Sequence, residues 1–373
     1  MDICIDVQAA IAQRAGVGRY TQLLVQHLDR LADRHNLRLF FFDFRKRGLP
    51  FPVQHARAQS LGWCPGRLAQ KSWKTLHWPP FDAFAGRADL FHFPNFIIPP
   101  LRRGKAVLTI HDMSFVRHPE FAESRNLDYL RTHIAATAAR ADRILTDSHF
   151  SADEIRDCLH VPADRVVPIH LGIAESFSRP DDARIRATLT TLGLDRPYLL
   201  TVGTVEPRKN LPLLIDSFER MQSFDGLLVI AGRLGWKVEP ILDRIRRSPR
   251  AAAIRLIQTV DDETLPALYA GAELFLITSF YEGFGFPPLE AMACGTPVLS
   301  SNGGSLAEVL GDAARILTDF DPDHWSTEAQ RLLSDTTLRR TLVDRGHTQS
   351  ARYRWDHTAR ETLATYESVL ESA

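Results

Sequence analysis

The chain has 373 residues, 45% apolar and 24% charged, which suits a soluble globular protein with room for two domains of ordinary size. Lys and Arg (45) balance Asp and Glu (45), which excludes a global electrostatic attraction to nucleic acid. Cys4, Cys64, Cys158 and Cys294 form no C-x-x-C pair, so neither a zinc knuckle nor a disulfide framework is expected; the acidic start MDICIDVQAA and the lack of any run of about 18 apolar residues predict no leader and no membrane span.

In chain order, Ile3 to Val7 is a short apolar run, followed by a loop containing Gly16-Val17-Gly18 and then by RYTQLLVQHLDRLADR (19–34), whose spacing is helical. LRLFFFDF (37–44), ADLFHFP (88–94), AVLTIHD (106–112) and DRILTDS (142–148) read as further buried strands, with a helical segment from Ser124 to Ala141 between the last two. The pattern restarts with PYLLTVGT (197–204), a helix from Leu211, GLLVIAG (226–232), AIRLIQTV (253–260), the helix ETLPALYAGA, ELFLITS (273–279) and a helix from Pro288 to Ala293. Apolar strands alternating with helices predict two doubly wound α/β domains, each a parallel sheet covered on both faces. Residues 1–171 and 197–350 form these domains, the polar stretch 172–196 reads as a linker, and 351–373 as a helix returning to the first domain. Open parallel sheets bind ligands at the C-terminal ends of their strands, so two facing sheets direct the expected site to the cleft between them.

Two motifs fall at such strand ends. In TVGTVEPRKNLPLL the strand ends at Gly203-Thr204, and Arg208 and Lys209 precede Asn210, an expected helix N-cap, with Pro212 in the first turn. Two cations beside a helix N-terminus form an anion site, because backbone N–H groups, helix dipole and side chains favour the same charge. In SFYEGFGFPPLEAMACGTPVLSS (279–301), Glu282 stands on a loop whose Gly283 and Gly285 allow close backbone approach, and Glu290 falls near the first turn of the following helix. One carboxylate from a loop, one from a helix and amides between them match the hydroxyl, diphosphate, hydroxyl layout of a nucleotide sugar.

GTVEPRKN, FYEGFGFPPLEAMACGTPVLSSNGG with its E-x7-E spacing, and LAEVLGDAA resemble the retaining glycosyltransferases of family 4. The likeness extends to GVGRY, TIHDMSF, TDSHFSADEI, LVIAGRLGW and RYRWDHTARETLATYESVL, and so covers nearly the whole chain. The resemblance implies the GT-B fold of two facing Rossmann-like domains. It implies that Arg208 and Lys209 hold the donor diphosphate, that Glu282 contacts the transferred sugar and that Glu290 accepts bonds from the ribose hydroxyls. Phe284, Gly285 and Phe286 would offer backbone amides, and Gly203 belongs to the same donor loop. His111 matches the histidine that faces the donor sugar, Gly16 and Gly18 match the glycine loop near the diphosphate, and Val260 falls where similar enzymes place the base. Gln258-Thr259 stand where the family commonly has a glycine before that position, which leaves purine against pyrimidine open.

The implied reaction is hexose transfer with retention, by front-face attack in which the leaving diphosphate takes the acceptor proton, without a metal. The variants seen here look most like mannosyltransferases of bacterial surface polysaccharide assembly, so GDP-mannose leads as donor and a lipid-linked or growing glycan as acceptor. A GDP-deoxysugar such as GDP-rhamnose, UDP-glucose and UDP-N-acetylglucosamine are the alternative donors. A non-catalytic partner of the same fold and a nucleotide-sugar epimerase are the competing functions. Asp319-Phe320-Asp321 imitates an Asp-x-Asp metal motif but reads as a turn before a helix, and Cys294 reads as a packed small residue. Residues 44–81 carry Arg45, Lys46, Arg47, Arg57, Arg67, Lys71 and Lys74, no acid, and Trp63, Trp73 and Trp78. Such a segment suits an anionic membrane surface and also single-stranded nucleic acid. The lipid-linked acceptor that the resemblance implies favours membrane contact, with plain packing of the tryptophans as the main alternative and nucleic acid the least favoured. The expected location is cytoplasmic, peripheral on the inner face of the cytoplasmic membrane.

Overall fold

The computed structural model describes residues 1–12, 16–31 and 35–371, apart from the side chains of 124–126. Two compact units divide the chain, Met1–Gly172 with Arg354–Ala373, and Ile173–Tyr353.

In the first unit the strands are β1 (Asp2–Asp6), β2 (Asn36–Phe42), β3 (Arg57–Leu61), β4 (Leu90–Phe93), β5 (Lys105–Thr109), β6 (Arg143–Thr146) and β7 (Val166–Pro168). They form one parallel sheet in the order β3-β2-β1-β4-β5-β6-β7. The second unit holds β8 (Tyr198–Val202), β9 (Leu227–Ala231), β10 (Ile254–Ile257), β11 (Leu274–Ile277), β12 (Val298–Ser301) and β13 (Arg315–Leu317), parallel in the order β10-β9-β8-β11-β12-β13. Central strands such as LLVIA and LFLI are buried along their whole length, as helices on both faces of a parallel sheet require. In each sheet the chain works outward from one strand and then returns to its other side. The strand order therefore reverses between β1 and β4, and between β8 and β11, and at such points the loops leaving neighbouring strands diverge and leave a crevice.

Three expectations change. After β1 a short helix, Gln8–Ala12, precedes the glycine loop; the next helix is Val17–Leu31, and residues 32–34, expected to continue it, lie outside the described residues. The stretch 172–196 contains the helix Asp182–Thr191, which buries Ile185 and is capped by Asp181 accepting from the Arg184 amide at 2.7 Å. From Ile173 onward it belongs to the second unit. Strands β3, β7, β12 and β13 were not foreseen. The C-terminal helix Trp355–Glu371 packs on Val17–Leu31 within the first unit.

That packing carries a buried polar chain. The Tyr366 hydroxyl meets His92 Nδ1 at 2.7 Å, His92 Nε2 meets Thr109 Oγ1 at 2.8 Å, and Thr109 Oγ1 meets the Tyr20 hydroxyl at 3.1 Å. All four residues are buried. Burial, with a smaller push from His111, lowers the His92 pKa from 6.5 to about 3, so its ring stays neutral, donating through one nitrogen and accepting through the other. A histidine whose folded pKa is depressed contributes stability above its unfolded pKa and loses it as pH falls toward the folded value. Urea unfolding should therefore show a loss below pH 6.5 of up to about 1.4 kcal/mol per pH unit that His92→Gln lacks. Identical pH slopes for the two proteins would exclude the neutral buried ring.

Candidate active site

In the second unit, the loops leaving β8 and β11 lie on adjacent strands at the point where strand order reverses. They are tied together by the backbone: the Phe280 amide donates to Arg208 O at 2.9 Å, and Thr278 Oγ1 donates to Lys209 O at 2.9 Å and to Asn210 O at 3.1 Å. Arg208 and Lys209 sit in a short 3-10 turn, Pro207–Lys209, and Asn210 begins the helix Leu211–Arg220. Asn210 occupies the N-cap position expected of it, but in the left-handed conformation at φ 49° and without a side-chain capping bond. It acts as the hinge between two helical turns instead of as a cap.

Glu282 is the meeting point of the two loops. Lys209 Nζ donates to its Oε1 at 2.6 Å, Arg208 Nη1 donates to its Oε2 at 2.7 Å, and Ser279 Oγ donates to Oε1 at 2.6 Å. Burial pushes the carboxyl upward, but the two cations outweigh it and hold Glu282 at about 2. Arg208 also donates to buried Glu206 Oε1 through Nη2 at 2.8 Å and Nε at 3.1 Å, and to Tyr281 O at 2.5 Å. Each charge is thus both paired and hydrogen-bonded, the condition under which buried ions persist.

Glycine geometry closes the backbone around this cluster. A Cβ on Gly203, at φ 152°, would lie 3.2 Å from Lys209 Cε. Gly304, at φ 66°, passes so close to the Glu282 backbone that a Cβ there would lie 2.2 Å from Glu282 O. Ser305 follows, its amide donating to Glu282 O at 2.9 Å and its Oγ to Phe284 O at 3.1 Å. The loop after β12 therefore clamps the Glu282 loop from behind.

Gly285 caps the helix Phe286–Ala293 at φ 102°. Pro287 and Pro288 carry no N–H, so of the four N-terminal positions only Gly285 and Phe286 have amide hydrogens, fewer than a helix N-terminus usually provides. Glu290 is buried on this helix and accepts from the Tyr269 hydroxyl at 2.9 Å. Phe284 is buried against Phe286 and Tyr353. Val260 lies three residues beyond β10, two strands away from β8.

The remaining expected residues belong to the first unit. Gly16 has φ 58° and its carbonyl accepts from Tyr20 N at 3.0 Å, while Gly18 is buried in the helix Val17–Leu31. His111 follows β5, and both of its ring nitrogens have protein acceptors: Asp147 Oδ2 at 2.8 Å from Nδ1 and Pro94 O at 3.1 Å from Nε2. Pro94 O can only accept, so Nε2 carries a proton, and opposite an ionised Asp147 the ring carries a second one and is charged; burial pushes the Asp147 carboxyl upward as well. Burial opposes that charge, but Asp147 outweighs it and raises the His111 pKa. The expected contact of this ring with a sugar would have to take the place of Pro94 O.

Asp319 accepts from His324 Nδ1 and from the Asp321 amide, and Asp321 caps Pro322–Ser334, so the two carboxylates act in a capping turn. Cys294 is buried, and burial pushes its thiol up to about 12. Sequence reasoning missed Glu206, Ser279, Gly304 and Ser305. The only signal for them was adjacency, Glu206 next to the Pro-Arg-Lys step and Gly304-Ser305 in the SSNGGS run.

A family model described as glycosyl transferases group 1 matches residues 190–349, and one described as glycosyltransferase family 4 matches residues 14–177. The chain is 33% identical over 371 residues to the O-antigen chain mannosyltransferase B of Escherichia coli, covering 94% of this chain and 95% of that protein. It is 30% identical over 283 residues to the serotype-specific mannosyltransferase WbdA of Escherichia coli, covering 72% of this chain and 34% of that longer protein. Among solved structures, sucrose-phosphate synthase from Thermosynechococcus elongatus superposes with a TM-score of 0.79 at 20% identity, covering 100% of both chains, which shows a shared fold.

Gly193 and Gly304 share φ 66°, but nothing lies within 4 Å of a Cβ on Gly193. Gly193→Ala should cost only the backbone strain, roughly 1–2 kcal/mol. Gly304→Ala should cost clearly more in urea unfolding, because its methyl meets the Glu282 carbonyl; equal losses would show that the loop yields freely.

Proposed function

The chain belongs to the family 4 glycosyltransferases, and from that premise we propose that it transfers mannose from GDP-mannose to a hydroxyl of a lipid-linked or growing surface polysaccharide, with retention at the anomeric carbon. The observation that carries the reading is the Arg208–Lys209–Glu282 cluster at the strand-order reversal. Arg208 and Lys209 are shared between the carboxylates of Glu282 and Glu206, so the cluster is formally neutral and holds its cationic N–H donors oriented where a doubly charged diphosphate would arrive. Such preoriented donors favour the departing diphosphate more than the intact donor, which is how a fixed electrostatic site lowers a barrier.

Glu282, held near pKa 2, is a weak base. It is poorly suited to take a proton from an acceptor hydroxyl. This supports front-face attack, in which the leaving diphosphate takes that proton and Glu282 instead faces the sugar whose ring develops positive charge. Glu290, beside Tyr269, would bind the ribose. The mannosyl assignment draws on the two relatives named as mannosyltransferases, the first alike over almost its full length. The cationic pair does the work a divalent metal does elsewhere, so transfer should survive EDTA. The acceptor places the enzyme at the cytoplasmic face of the membrane.

A thermal-shift panel of GDP, UDP and ADP should show selective stabilisation by GDP, because a ligand bound only to the folded state raises the melting point by mass action. Selective response to UDP would replace the donor. Lys209→Ala should weaken nucleoside diphosphate binding about tenfold or more, as expected for one charge-assisted contact. Unchanged affinity in the Arg208→Ala/Lys209→Ala protein would remove the clamp assignment.

The two glutamates should separate kinetically. Glu290→Gln should raise the donor KM with kcat largely kept, and Glu282→Gln should lower kcat. Steady-state transfer at saturating acceptor measures both, and the opposite pattern would exchange their roles.

A further inference from the structure

Of the large apolar side chains that stand exposed among the described residues, five lie within one stretch of the first unit: Phe44, Trp63, Leu68, Leu76 and Trp78, each 58–72% exposed. The stretch is also where the charge of the chain is concentrated. No acid lies among residues 44–81, and none of the seven cations there is ion-paired among the described residues. Since the whole chain is neutral, the remainder carries seven more acids than bases.

These residues form one connected piece of surface at the edge strand β3. The Asp43 amide donates to Leu61 O at 2.9 Å, which joins the 44–48 turn to the segment containing Trp63. Asp43 itself is consumed inside the turn, accepting from the Arg47 and Gly48 amides at 2.8 Å each. The helix Gly66–Thr75 follows and buries only Ala69. Trp73, one turn on, anchors it by donating to Pro79 O at 2.6 Å and packing against Phe42, Phe81 and Phe84. Arg67, Lys71 and Lys74, spaced i, i+4, i+7, share the opposite face with Leu68 at its edge. Lys74 lies over the Tyr129 ring at 3.7 Å, which holds its stem down without removing its charge. Trp63 precedes this helix, and Leu76 and Trp78 follow it, with the Ser72 hydroxyl bonded to Trp78 O. Exposed tryptophans thus bracket a cationic helix that is itself fastened to the core.

We infer that this surface docks on an anionic lipid bilayer, the cations facing headgroup phosphates and Trp63, Leu68, Leu76 and Trp78 entering the interfacial layer. Charge complementarity selects the partner. A protein partner of the same chain would meet seven like charges, and interfacial tryptophans flanked by Lys and Arg are the side chains that gain most where an apolar body and a wet rim are both available. Among the described residues no helix is long and apolar enough to cross a membrane. The inference deepens the lipid-linked-acceptor reading, because it would bring the enzyme to the plane in which such an acceptor lies.

The test is flotation of the full chain with phosphatidylcholine vesicles, with and without phosphatidylglycerol. Binding should require phosphatidylglycerol and fall about tenfold or more as salt rises from about 0.1 to 1 M, over which the screening length drops from about 10 to 3 Å. Arg67→Gln/Lys71→Gln should weaken it about tenfold or more, near the contribution of two surface cations. Trp63→Ser/Trp78→Ser, with all charges kept, should weaken it as well and abolish the blue shift of tryptophan emission on vesicle binding. Both variants should keep the circular dichroism of the parent. Equal binding to neutral vesicles, insensitivity to salt, or tighter binding to single-stranded polyuridylate than to anionic vesicles overturns the inference. Transfer to a water-soluble acceptor is measured alongside. If it fails while vesicle binding persists, the donor reading falls and this one stands; if transfer persists without vesicle binding, the reverse holds.

Discussion

The second unit is organised around one ionised carboxylate. Glu282 is buried, and an ion of that kind is tolerable only if opposite charge and hydrogen bonds reach it from every side. Arg208, Lys209 and Ser279 provide them, and each is fixed in turn: Arg208 by Glu206, the Lys209 carbonyl by Thr278, and the Ser279 carbonyl by Ser301. Loops leaving three neighbouring strands therefore cannot move independently. A preformed electrostatic site follows from this constraint, because the groups that would meet a diphosphate are already oriented by the carboxylate that balances them.

The first unit meets a similar demand in a different way. His92 is kept neutral and satisfied by hydroxyls on either side, whereas at His111 the Asp147 carboxylate favours the charged ring. The two rings lie near Thr109 and Tyr20, so one small region holds one imidazole whose pKa is pushed down and another whose pKa is pushed up. The difference is the neighbour: a hydroxyl cannot compensate a buried positive charge, and a carboxylate can. Tyr366 on the C-terminal helix completes the neutral chain, and this gives the return of Trp355–Glu371 to the first unit a specific chemical role as well as an apolar one.

Nine of the strands were legible as apolar runs, and the reasons the others were not are local. β3, β7 and β13 are edge strands, RAQSL, VVP and RIL, half exposed and too short or too polar to stand out. β12 is central, but its VLSS ends in two serines that are buried because their hydroxyls donate to backbone carbonyls. Hydropathy does not distinguish such serines from loop residues. The helix Asp182–Thr191 was hidden for the opposite reason, since a mostly exposed helix with one buried isoleucine has almost no apolar periodicity.

By itself, the amino-acid sequence determined the fold class, the restart of the α/β pattern in a second unit, the family and the identities of the principal charged residues. Each of these depends on residue type and on separations along the chain. Tertiary structure alone decided who pairs with whom. That Arg208 and Lys209, more than seventy positions before Glu282, spend their charge on it follows from β8 and β11 lying side by side, an adjacency that sequence order conceals. That His111 has no ring nitrogen without a protein partner follows from the carbonyl of Pro94 and the carboxylate of Asp147 converging on it from two other strand ends. And of three tryptophans in one basic stretch, only the packing tells that Trp73 is an anchor while Trp63 and Trp78 face outward, because burial belongs to the folded neighbours and not to the residue.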